Sequence, residues 1–149
     1  MFFSLMLACS ASPDEVTPPP QPAPEAAPEA APQVETPVEG LTLMLDGTER
    51  WPMDEHTRGV MAESRSALST AHVDTLEQAV ALGVTLQGQL DRLISGCTME
   101  GAAHDELHVF LMVWIPEVSM LQEDTDKDTA LARVLRLQAL LAEYDRFFE

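Results

Sequence analysis

The sequence predicts an all-α protein, an antiparallel up-down-up-down four-helix bundle that follows a disordered linker rich in Pro, Ala and Glu. Three observations carry this. Apolar residues recur at helical spacing through four stretches of similar length. Only short connections separate those stretches, as antiparallel neighbours require. Apolar residues make up 46% of the chain but aromatic ones only 5%. A core built on Leu, Val, Met and Ala favours helices over sheets.

The elements follow in chain order. Residues 1–9 read MFFSLMLAC, an apolar run that ends in Met6-Leu7-Ala8-Cys9. This resembles a bacterial lipobox, in which signal peptidase cuts before the cysteine and the thiol carries lipid. The resemblance implies lipidation at Cys9 and anchoring to a membrane in the bacterial cell envelope. Ser10 follows rather than Asp, which implies sorting to the outer membrane, facing the periplasm. Eight residues precede Cys9 and none is Lys or Arg, where a signal peptide ordinarily has a basic start and about 15–30 residues. No stretch approaches the roughly 18 apolar residues that a spanning helix needs.

Residues 10–39 are dominated by Pro, Ala and Glu. Proline lacks the amide donor and fixes φ, so neither helix nor sheet is expected to propagate. Little apolar surface is available to bury, and like charges repel, which predicts an extended, disordered spacer whose role is reach.

Residues 40–149 form the predicted bundle domain. LTLMLDGTERW alternates briefly and then meets the turn signal Asp46-Gly47. It reads as an extended lead-in that packs Leu43, Leu45 and Trp51 on the domain edge. The first helix is expected over 54–70, burying Val60, Met61, Ser64, Ala67, Leu68 and Ala71. The second is expected over 74–95, started by Val73-Asp74-Thr75 and ended by Gly96. Its stripe is Leu76, Ala79, Val80, Gly83, Leu86, Leu90, Leu93 and Ile94. The third is expected over 102–121, with Asp105 and Glu106 in its first turn to suit the dipole and a kink at Pro116. The fourth is expected over 128–148, capped by Asp126 or Asp128. It would bury Leu131, Val134, Leu135, Gln138, Leu141, Tyr144 and Phe148. Asp124 to Asp128 begins like a calcium loop. However, Thr129 stands where that loop needs Gly and Leu135 where it needs Glu, so it reads as a helix-start loop.

Charge narrows the function. Twenty-five acidic residues against eight basic ones give a formal net charge of −17. No basic stripe exists, so nucleic acid is excluded as a partner, as is electrostatic adhesion to anionic lipid.

The chemistry concentrates in CTMEGAAHDELH, Cys97 to His108. Cys97 continues the buried stripe of the second helix. His104 and His108 are four apart on the third, on a side shared with Leu107, Leu111, Ile115 and Val118. Two imidazoles at that spacing can hold one metal. Met99 lies in the intervening loop, which Gly96 and Gly101 let fold tightly. Cys97, Met99, His104 and His108 together are a soft nitrogen–sulfur donor set, which favours Cu(I) over hard cations. Zinc accepts Cys and His but rarely Met. Haem would need ligands across the core rather than at one corner, and no CxxCH attachment motif exists. With Cys9 lipidated, Cys97 is also left without a disulfide partner. Taken singly, each of these residues also serves as ordinary core material: Cys as a small hydrophobe, Met as a gap filler, His bonded to a carbonyl.

These residues resemble a group of small, largely uncharacterised bacterial lipoproteins and periplasmic proteins. That group has a Trp-containing start, a C-x-M-x-G-x-x-H-x-x-L-H motif and a C-terminal helix that ends in Tyr and Phe. The counterparts here are Asp46 to Trp51, then Cys97, Met99, Gly101, His104, Leu107 and His108, then Tyr144 to Phe148. Pro116 stands further behind the second histidine than in that pattern. The resemblance implies a helical bundle and no particular activity. The expected function is an envelope lipoprotein, not an enzyme, that binds a soft metal. The competing expectation is a structural lipoprotein with an envelope protein partner, whose corner motif only packs the core. His56 and Met61 are further candidates to approach the corner. Catalysis lacks support, since Cys97 sits at a helix C-terminus, where the dipole raises a thiol's pKa.

Overall fold

The computed structural model describes residues 38–149, and before them the backbone of Gln33–Glu35. Cys9 and the rest of the 10–39 spacer lie outside the described residues. Six elements follow one another: β1 (Gln33–Glu35), β2 (Thr42–Met44), α1 (Glu55–Thr70), α2 (Leu76–Gly96), α3 (Ala102–Glu123) and α4 (Lys127–Phe147). Four helices thus dominate, as expected. One expectation needs correction, because strand β1 falls inside the stretch assigned to the spacer. It pairs antiparallel with β2, Val34 opposite Leu43. Gln-Val-Glu lies between Pro32 and Pro37 and contains no proline itself, so its amides are free to join a ladder.

Local chemistry sets the helix ends. Asp54 caps α1 through the Thr57 amide. Thr75 caps α2 in a reciprocal box with Gln78, so the helix starts after Thr75 rather than at Asp74. Asp126 caps α4 through Thr129, while Asp124 pairs with Arg133. Two of the three carboxylates of the calcium-like stretch, Asp124 and Asp126, therefore have local partners. α3 continues through Pro116, which sits on its solvent side.

The helix faces are partly as expected. α1 buries Val60, Met61, Ser64 and Leu68, together with Thr57. α2 keeps Ala79, Gly83, Leu86, Leu90 and Leu93 inside and adds Leu82 and Gln89, but Ile94 is 55% exposed. α4 buries Val134, Leu141 and Tyr144 as expected, with Phe148 just past its end, but two expected positions turn outward. Leu135 is 66% exposed and Gln138 lies at the surface, its amide donating to the Leu68 carbonyl. Ala130, Leu137, Leu140 and Phe147 take the core positions instead. On α3 the buried side chains are Leu107, Phe110, Leu111, Trp114, Val118 and Leu121, and Ile115 is left exposed. The aromatics explain this choice. Phe110 stacks on Trp114 at 5.6 Å between centroids, meets Tyr144 edge-on at 5.3 Å, and Tyr144 stacks on Phe148 at 4.7 Å. Burying rings of that size outweighs burying Ile115.

The lead-in behaves as expected at Leu43, which is fully buried, and at Leu45 and Trp51, which pack against the core. Trp51 also pairs with the far end of the chain. Its amide donates to the Phe147 carbonyl at 2.7 Å, and the Glu149 amide donates back to Trp51 at 3.0 Å. Buried carboxylates are compensated. Glu117 accepts from Arg133 at 2.7 Å and from Arg136 at 2.8 Å, tying α3 to α4.

Two glycines of α2 have opposite roles. A Cβ on Gly83 would stand 3.1 Å from the Gln122 backbone nitrogen, so the close approach of α2 and α3 depends on its absence. A Cβ on the exposed Gly88 would meet nothing. Gly88→Ala is expected to raise stability by about 0.5–1 kcal/mol through helix propensity. Gly83→Ala is expected to lower it by about 1 kcal/mol or more. Urea denaturation of the two variants checks the ordering.

Candidate functional site

The corner between α2 and α3 begins at Gly96, the last residue of α2. Cys97 follows as its C-cap with φ −65°. Gly96 is not a left-handed terminator, since positive φ belongs to Gly40, Gly47 and Gly101. Its lack of a side chain serves a neighbour. The His56 ring lies over it, with Nε2 2.9 Å from the Arg92 carbonyl oxygen, and a Cβ at Gly96 would stand 2.4 Å from that nitrogen. Gly101, at φ 77°, turns the chain into α3.

Three of the four expected donors share one cleft. Cys97, His104 and His108 line it with Leu93, Ile94, Leu107 and Leu111, around a volume of about 250 Å³. The two imidazole centroids are 4.2 Å apart and tilted by 58°. Cys97 is a free thiol and half-buried. His104 is half-buried too, but His108 is exposed. The expectation that both histidines face the core is therefore corrected. Burial of Phe110 and Trp114 turns α3 so that its histidine stripe lies on the flank of the core, over the α2–α3 seam.

Met99 departs from the cluster. Its sulfur accepts the Thr57 hydroxyl at 3.7 Å, and the side chain packs against the core beside α1. Thr57 is fully buried and would otherwise have a hidden hydroxyl, so this contact gives Met99 a structural role. Met61 is a core residue. Among the described residues, no three His, Cys, Asp or Glu side chains are grouped closely enough to hold a metal ion as they stand.

Two residues near the corner escaped the sequence reading. Met112 lies one turn after His108 and is 77% exposed. With His108, Ile94, Leu111 and Ile115 it lines a hollow of about 330 Å³ that adjoins the cleft. The four-residue spacing from His104 to His108 to Met112 was the available signal. Glu106, expected to suit the helix dipole at the surface, is buried instead and accepts the Met44 amide of β2. Loss of water raises its pKa above the ordinary 4.5, and the Met44 N–H opposes that in part.

A sign follows for Glu106. Its folded-state pKa lies above the unfolded one, so its contribution to stability is full below about 4.5 and is lost as pH rises through the folded value. A glutamine keeps an acceptor for Met44 and never ionises. Glu106→Gln is thus expected to be more stable than wild type at pH 7, with the advantage vanishing toward pH 4. Denaturant midpoints measured across that range check it.

No known protein-family model matches this chain, and neither does any curated protein or any solved structure.

Proposed function

We propose that this chain is a lipid-anchored envelope protein, not an enzyme, whose up-down-up-down bundle captures a soft transition metal, Cu(I) above all, at the α2–α3 corner. One observation carries the reading: Cys97, His104 and His108 line the same cleft. Metal capture requires these side chains to draw closer together than they stand here. With Met99 held by Thr57, the remaining thiolate and imidazoles suit zinc as well as Cu(I). The exposed thioether of Met112 beside His108 tips the preference to Cu(I). Lipidation at Cys9, the extended spacer and a location at the outer membrane facing the periplasm complete the proposal.

A second reading draws on a different observation. Ile94, Met112 and Ile115 leave apolar surface exposed around His108, and an envelope protein could dock there with no metal present.

Bathocuproine competition on the purified protein separates the two. Wild type is expected to retain Cu(I). Cys97→Ala/His104→Ala is expected to lose it by at least about tenfold in affinity, while Met99→Leu keeps it. A bound metal also raises Tm in proportion to its affinity. Equal retention by wild type and the double variant, with Tm unmoved by copper, would sink the metal reading and favour the docking one.

A further inference from the structure

A second site is written between α1 and α4, on helices that carry none of the corner donors. α1 and α4 are neighbours across one side of the molecule. Two hollows lie along their seam, of about 290 and 240 Å³, and the Arg65–Asp145 pair stands in the wall of both. The first hollow is cationic. Arg50, Arg58 and Arg65 line it, three of only eight basic residues in a chain of net charge −17. The second is apolar, walled by Leu68, Leu141 and Ala142.

The cationic hollow has spare capacity for an anion. Arg50 pairs with Glu149, both about half exposed, which makes a weak pair that exchanges readily, while Arg65 holds Asp145 with two donors. Arg58 donates to the Met53 carbonyl at 2.6 Å and has no carboxylate partner among the described residues. Tyr144, also in the wall, is 4% exposed, yet its hydroxyl has no hydrogen-bond partner among the described residues. The charges acting on that hydroxyl are Arg65, Asp145, Arg58 and Asp54. Buried hydroxyls are almost always bonded, so an unpartnered one near Arg58 and Arg65 points to an absent acceptor. Arg58 is the guanidinium of this wall with no carboxylate across it among the described residues, and one open fork suits one carboxylate group.

We propose that this groove binds an amphipathic monocarboxylate. Its carboxylate accepts from Arg58 and from the Tyr144 hydroxyl, and its apolar tail lies past the Arg65–Asp145 pair against Leu68 and Leu141. A planar carboxylate matches the donor fork of a guanidinium, and the apolar hollow removes the tail from water.

Calorimetry and thermal melts of the full chain with octanoate test this, with acetate as head alone, octanol as tail alone, and inorganic phosphate. Octanoate is expected to bind and raise Tm, and the three controls to bind at least about tenfold more weakly. Arg58→Gln, at an exposed position, is expected to lose about tenfold or more in octanoate affinity with its own melt unchanged. Tyr144→Phe is expected to melt no lower than wild type without ligand, since the lost hydroxyl had no partner, and yet to bind octanoate more weakly. Hexadecanoate binding more tightly than octanoate would mark a membrane-derived acid, and the reverse order a free short-chain one; either order supports the site. Failure of octanoate to bind at millimolar concentration, equal binding by Arg58→Gln, or tighter binding of phosphate would each overturn it.

Discussion

Phe110 and Trp114 sit one turn apart on α3, and together with Tyr144 and Phe148 of the C-terminal segment they form the aromatic centre of the core. Their burial fixes the rotation of α3 about its own axis. A helix has one such angle to choose, and every other side chain on it follows. Leu107, Val118 and Leu121 go inward with the rings. Glu106 is carried inward as well, to where β2 supplies an amide for it. His104 and His108 are carried to the flank, over the seam with α2, and Met112 is carried out into solvent. The corner is therefore a consequence of core packing two turns away.

Acid excess shapes the rest. With 25 carboxylates and few cations, the chain spends its arginines selectively. Arg133 and Arg136 converge on Glu117, and Arg133 also holds Asp124, so that one knot joins α3, α4 and the loop between them. Arg146 sits on the buried Glu143. These pairs exempt buried carboxylates from an otherwise prohibitive loss of hydration. Against that economy, gathering Arg50, Arg58 and Arg65 on one seam is conspicuous, because only two of them have an acid to hold.

Much of the fold was legible in the sequence and less of the site. The helices, the Asp126 cap and the buried stripe of α1 follow from period and capping chemistry, which are local. The stripes of α2, α3 and α4 were harder because apolar residues flank the true core face. Ile94, Ile115 and Leu135 satisfy helical spacing as well as Leu82, Trp114 and Leu137 do, and only packing decides between them. β1 was hidden by surrounding prolines. At the corner, spacing correctly placed Cys97, His104 and His108 together but could not see that Thr57, more than forty residues earlier, would claim Met99. Tyr144 was read as core, which it is. Its idle hydroxyl is visible only once the neighbouring arginines are in place.

The short exchange of backbone bonds among Trp51, Phe147 and Glu149 has a kinetic consequence. Arg50 and Glu149, which flank it, are 99 positions apart. Closing so long a loop is entropically slow, so this clasp is poorly suited to nucleate anything. The segment ahead of α1 therefore has to wait for partners at the far end of α4. Until then the amide and carbonyl of Trp51 lack these two partners. The clasp is thus a late event in folding, a latch that closes only after the helices it joins have already found each other.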